Sequence, residues 1–123
     1  MNTYVADEHV TITLTIKRQT LRDLLCTVVE GGSNYWAEFS DAERTEDLNY
    51  LKVRVKEYEK HDDNKWRVNR FVTADELRIG IERLSQATFP SAWSHLAAAL
   101  GDHDATTAYV VLQMTVFGDV IYG

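Results

Sequence analysis

The chain has 123 residues, of which 45% are hydrophobic and 26% charged, a balance that suits one globular domain spanning 1–123 with a core of its own. Thirteen Lys and Arg stand against nineteen Asp and Glu, and the net charge of −6 argues against direct nucleic-acid binding, which needs clustered cations. A single cysteine, Cys26, excludes an internal disulfide and suits a reducing cytoplasm; MNTYVADEHV does not read as a secretory signal, and no apolar stretch approaches the ~20 residues of a membrane span.

Residues 9–16 alternate, with Val10, Ile12, Leu14 and Ile16 on one side and Thr11, Thr13 and Thr15 on the other, so the spacing predicts a strand with one buried face. Thr20 is the expected N-cap of the next element, with Asp23 in its first turn. Leu21, Leu24, Leu25, Val28 and Val29 make a helical stripe, and Gly31 is the expected left-handed stop. Residues 34–39 read as a second strand and 40–49 as a polar loop. In residues 50–58, Leu51, Val53 and Val55 alternate with Lys52, Arg54 and Lys56, whose basic row reads as a solvated sheet face. The turn-forming HDDNK at 61–65 then sends 66–72 back antiparallel, completing a three-strand meander over 34–72.

Thr73 and Glu76 have the spacing of a capping box and open a helix that points Leu77, Ile81 and Leu84 inward. After Phe89-Pro90-Ser91 an Ala-rich helix fills 92–100, closed by Gly101. Asp104 caps a last helix at 105–117, stopped by Gly118, and the apolar tail 119–123 reads as a strand on the sheet edge. The expected fold is therefore α+β, with four or five antiparallel strands packed on three to four helices in the order β-α-β-β-β-α-α-α(-β).

The segment EGGSNYW at 30–36 holds the most suggestive chemistry. Gly31 and Gly32 allow consecutive amides to face an anion, Ser33 and Asn34 add polar partners, and Tyr35 and Trp36 offer flat faces for a base. The structural alternative is a helix stop, a turn and a strand, in which neighbouring Tyr35 and Trp36 alternate and one joins the core. It is neither a P-loop nor a dinucleotide fingerprint. In the last helix, Gln113 is a polar group among apolar neighbours that needs partners, either within the chain or on a ligand.

Other candidates carry simpler readings. His95, Asp102, His103 and Asp104 lack fixed ligand spacing, so no metal is expected, and Asp62-Asp63-Asn64 lacks the glycine and distant glutamate of a calcium loop. Cys26 sits beside an apolar stripe as a buried thiol, and Ser33 has no GxSxG elbow. No nucleophile with a base can be assembled, so a non-catalytic protein without a cofactor is expected.

The leucine-rich helix running into EGGSNYW, together with Asp104-Ala105-Thr106, Leu112-Gln113 and a C-terminal FGxxxYG (117–123), resembles a group of short proteins from bacteriophages and prophages. The resemblance implies a small protein in an infected bacterium's cytoplasm that counters host defence, and it transfers no catalytic residue. The leading expectation is capture of a small anionic, nucleotide-like ligand at Gly31, Gly32, Ser33, Asn34, Tyr35, Trp36 and Gln113. Local positive charge would come from Arg22, Lys52, Arg54, Lys56 or Arg70. The first alternative is an acidic inhibitor that docks on a host enzyme through Glu43, Glu46, Asp47, Asp62 and Asp63. A nucleotide-acting enzyme is the second, and a homo-oligomer is compatible with each.

Overall fold

The computed structural model describes residues 13–46, 49–60 and 64–123. Helix α1 (Arg18–Glu30) leads into a meander of β1 (Ala37–Arg44), β2 (Tyr50–Glu57) and β3 (Asn69–Thr73), followed by α2 (Leu77–Gln86), α3 (Ala92–Leu100) and α4 (Ala105–Phe117). The class is α+β, as the segregation of strand and helix patterns predicts. Among the described residues, four helices accompany one antiparallel sheet in the order β1-β2-β3.

The strand count is lower than expected. Among the described residues there are three strands, not four or five. Of the predicted strand at 9–16, residues 9–12 lie outside the described residues and 13–16 take no regular structure. The tail 119–123 is irregular too. Its apolar residues are used, but the groups that fix its backbone are side chains. The polar residues 40–44, expected as a loop, continue β1 instead, because pairing with β2 (Ser40 with Arg54, Glu43 with Lys52) supplies their ladder. A bulge between Ser40 and Glu43, with Asp41 at φ 51, and five exposed residues mark β1 as an irregular, charged edge.

α4 organises the helical layer. Its sequence is apolar all round, so it has no preferred outer face and buries eight of its 13 residues, Val110, Val111, Leu112 and Met114 among them. Asp104 Oδ1 accepts the Thr107 amide at 2.8 Å and starts the helix, and Gly118 at φ 77 ends it. α2 crosses α4 at Gly80, where any Cβ would strike Thr115 Oγ1 and the Val111 carbonyl. The missing side chain is what lets the two backbones touch. The reciprocal bonds of the Thr73–Glu76 box form, the Glu76 amide donating to Thr73 Oγ1 at 3.2 Å and the Thr73 amide to Glu76 Oε1 at 3.3 Å, but they brace a turn at 74–76, and α2 starts only at Leu77 with Glu76 at its N-cap.

α1 lays Leu21, Leu24, Leu25 and Val28 into the core. Its start differs from the expected cap, since the helix begins at Arg18 and Thr20 stands within it, its amide turned onto the Lys17 carbonyl at 3.0 Å. Its end differs as well. Gly31 keeps a right-handed φ of −68, and the left-handed residue is Gly32 at φ 78. A Cβ at Gly31 would meet the hydroxyl of Tyr109 on α4, so a larger residue there has to displace that side chain. No helix is long and apolar enough to cross a membrane among the described residues.

Candidate functional site

The two motifs at opposite ends of the sequence meet in space. Trp36 is buried at the entrance to β1, its ring stacked on Tyr122 with centroids 4.9 Å apart and planes 8° from parallel. Phe117 and Phe39 close around the same indole at 5.6 and 6.2 Å. Tyr35 turns the other way. Its ring is 66% exposed, sits edge-on to Tyr122 at 6.1 Å, and its Oη donates to the Gly123 carbonyl at 2.6 Å. Of the two aromatics, Trp36 therefore serves the core and Tyr35 faces outward.

The polar groups of the segment turn inward on the chain itself. The amides of Gly31 and Gly32 donate to the Thr27 and Val29 carbonyls at 3.0 and 3.1 Å, completing the end of α1. The Asn34 amide donates to the Ala37 carbonyl at 2.9 Å, and the Tyr35 amide to Asn34 Oδ1 at 2.8 Å. Ser33 Oγ accepts the Phe39 amide at 3.1 Å. Tyr109 Oη donates to the Gly32 carbonyl at 3.3 Å, and burial pushes its phenol above the ordinary range, so it keeps that proton at neutral pH. The result is a braced turn, in which the amides of Gly31, Gly32, Asn34 and Tyr35 complete the helix end and the turn.

Gln113 finds its partners in the tail. Its Oε1 accepts the amides of Ile121 at 2.9 Å and Tyr122 at 2.8 Å, and its Nε2 donates to the Tyr122 carbonyl at 3.0 Å. A buried primary amide thus does for residues 121–122 what a neighbouring strand would have done.

A second polar cluster lies behind the stack. Glu57 is fully buried on the core face of β2. Its Oε1 accepts the Val68 amide at 3.0 Å, and its Oε2 takes the Tyr122 hydroxyl at 2.5 Å and Arg67 Nη2 at 3.3 Å. Arg67 also donates to Tyr122 Oη at 3.1 Å. Burial and then the Glu57 carboxyl raise the Tyr122 phenol above its usual range, which keeps the hydroxyl a donor. One signal of this cluster stands in the sequence without marking a site: Glu57 is in phase with Val53 and Val55, so the period of two points a carboxyl into the core.

The remaining candidates disperse. Lys52 pairs with Glu43 at 3.2 Å and Arg54 with Asp41 at 3.5 Å, and both lie over Phe71 at 4.6 and 4.5 Å. Lys56 covers Trp66, and Arg70 pairs with Glu76 at 2.6 Å. The basic row is therefore half-buried and partnered rather than freely solvated. Glu46 is exposed, while Asp47, Asp62 and Asp63 lie outside the described residues. His95 Nδ1 meets Thr107 Oγ1 at 3.0 Å and His103 Nε2 meets Thr27 Oγ1 at 2.8 Å. Among the described residues no three His, Cys, Asp or Glu come together as metal ligands. Cys26 is half-buried on α1. Two surface cavities are lined elsewhere, one by Arg83, Phe89, Met114 and Asp119, the other by Leu14, Ile16, Ile81 and Trp93. No family model, curated protein or solved structure matches this chain.

Proposed function

We propose that the protein is a non-catalytic binding module that recognises another protein through the seam between residues 31–36 and the tail 119–123. The observation that carries this reading is Tyr35, an aromatic side chain two-thirds exposed yet held at its ring edge by Tyr122 and at its hydroxyl by Gly123. An exposed tyrosine already fixed in place loses little entropy on binding and gives a large, amphipathic contact, the usual character of an interface anchor. Ile121, next to Tyr122 in the chain, is exposed as well, and the Tyr58 backbone is tied to the segment by its amide bond to the Trp36 carbonyl at 3.1 Å.

A small anionic ligand at the same segment has less to rest on. The amides of Gly31, Gly32, Asn34 and Tyr35, and the amide of Gln113, make bonds within the chain. Lys52, Arg54 and Arg70 have partners on the sheet and its flanks. Docking through acidic residues finds its support in Glu38, Asp41, Glu43 and Glu46, exposed on or just after β1, although two of them are already paired with cations.

The resemblance of the end motifs to phage proteins makes bacterial cytoplasmic proteins the class to screen. The immobilised chain is expected to retain a partner that survives high salt and is lost with Tyr35→Ala. A partner released by salt and indifferent to Tyr35 favours the acidic face instead. Heat on titration with cyclic nucleotides, with no Tyr35-dependent protein partner, contradicts the proposal and returns the segment to ligand capture.

A further inference from the structure

Helix α3 has two apolar faces, and the core takes only one. Ala92, Leu96 and Ala99 are buried, whereas Trp93 is 70% exposed and Ala97 and Leu100 are exposed beside it. Positions 93, 97 and 100 recur at helical spacing, so the outer stripe is continuous. Next to it runs a groove of about 720 Å³ lined by Leu14, Ile16, Ile81, Trp93 and Leu96 together with the charged pair Arg78 and Glu82. Residues 87–101 carry no Asp, Glu, Lys or Arg, in a chain where 26% of residues are charged. Depletion of charge around an exposed Trp is the composition of an interface centre.

The geometry points to a second copy of this chain as the occupant, with two α3 helices packed antiparallel about a two-fold axis near Ala97. The stripe is complementary to itself. Trp93 and Leu100 lie about 10 Å apart along the helix, and their midpoint falls beside Ala97. A two-fold axis there sets Trp93 of each copy against Leu100 of the other, and the small side chain of Ala97 permits close approach. The bordering charges also balance. Arg78 and Glu82, 3.7 Å apart and both more than half exposed, present one charge of each sign, which an isologous contact can match against itself. A strongly acidic or basic partner finds no complement on α3. Residues 87–101 bring no like charges to such a contact, so two copies of α3 can meet without charge repulsion between the helices. This surface belongs to α2 and α3 and is distinct from the Tyr35 seam, so either can fail without the other.

Sedimentation velocity of the full chain across a wide concentration series tests the assignment. The wild type is expected to form a dimer at high concentration. Trp93→Glu and Ala97→Glu, both at exposed positions, are each expected to weaken it at least about 30-fold while leaving thermal melting unchanged. Ala97→Glu keeps the test decisive if the tryptophan variant folds poorly. A wild type that stays monomeric throughout overturns the proposal, whether the groove is then empty or filled by the chain's own residues before Leu14. A dimer that survives both substitutions overturns it as well.

Discussion

Tyr122 lies flat on Trp36 at 4.9 Å and extends its hydroxyl past it to Glu57 Oε2 at 2.5 Å. One tail residue therefore covers a core indole and serves a carboxyl that is fully buried. Tyr122→Phe keeps the stack and removes the donor, so it is expected to cost about 1–3 kcal/mol, the range for a buried polar group losing a partner. Tyr122→Ala loses the ring as well and is expected to cost about 3–5 kcal/mol. Urea denaturation of both variants checks the pair; a Phe variant as stable as wild type would remove the hydroxyl from the account.

Gln113 makes three bonds to the backbone of residues 121 and 122. Gln113→Ala is expected to release the tail, with faster hydrogen exchange at the Ile121 and Tyr122 amides and a stability loss of about 2 kcal/mol. If those two amides stay as protected as in the wild type, the tail is fixed by something other than this side chain.

Gly80→Ala reverses the usual propensity rule. At an exposed helical site the change would gain up to about 1 kcal/mol. Here the new Cβ meets Thr115 Oγ1 and the Val111 carbonyl, and the expected result is a loss of about 2 kcal/mol from overpacking. Adding Thr115→Ala removes only the first obstacle, so thermal melting of the double variant is expected to recover part of the loss at most. A stabilised single variant would mean that α2 and α4 can separate without cost.

How far the sequence carries depends on how local each cause is. The stripe Leu21, Leu24, Leu25 and Val28 and the Asp104 cap are read from neighbours within one or two turns and form as their spacing predicts; the Thr73–Glu76 bonds form too, one turn ahead of the helix start at Leu77. The meander over β1, β2 and β3 was legible for the same reason. Gly31 was legible as a glycine but not for its cause, since the obstacle is Tyr109, far along the chain. Residues 40–44 look like a loop because their polarity reflects an edge, and only β2 makes them a strand. Val120 and Ile121 look like a strand because apolar content does not reveal that a glutamine will replace the ladder. At the candidate site, the outward Tyr35 and inward Trp36 follow from alternation, while the meeting of residues 31–36 with 119–123 is tertiary and leaves no mark in either segment.

The acid limb of stability should carry the signature of Asp104. The Thr107 amide donating to its carboxylate holds the group below the usual carboxylate range in the folded chain. With the folded value below the unfolded one, the contribution is complete above the unfolded value and fades as pH falls through the folded one. Asp104→Asn keeps an acceptor at the cap and removes the titration. Its melting temperature is expected to fall less steeply than that of the wild type below the ordinary carboxylate range. Identical slopes in the two proteins would exclude the group as a contributor.

Tyr35 as a preorganised anchor is tested most directly by the affinity of a captured partner for wild type, Tyr35→Phe and Tyr35→Ala, each first matched for folding by circular dichroism. Loss of the ring is expected to cost about 2 kcal/mol, roughly a 30-fold weaker complex, while the Phe variant keeps most of the affinity because the edge contact with Tyr122 remains. Equal affinities for all three proteins would contradict the account and move the binding face away from the seam.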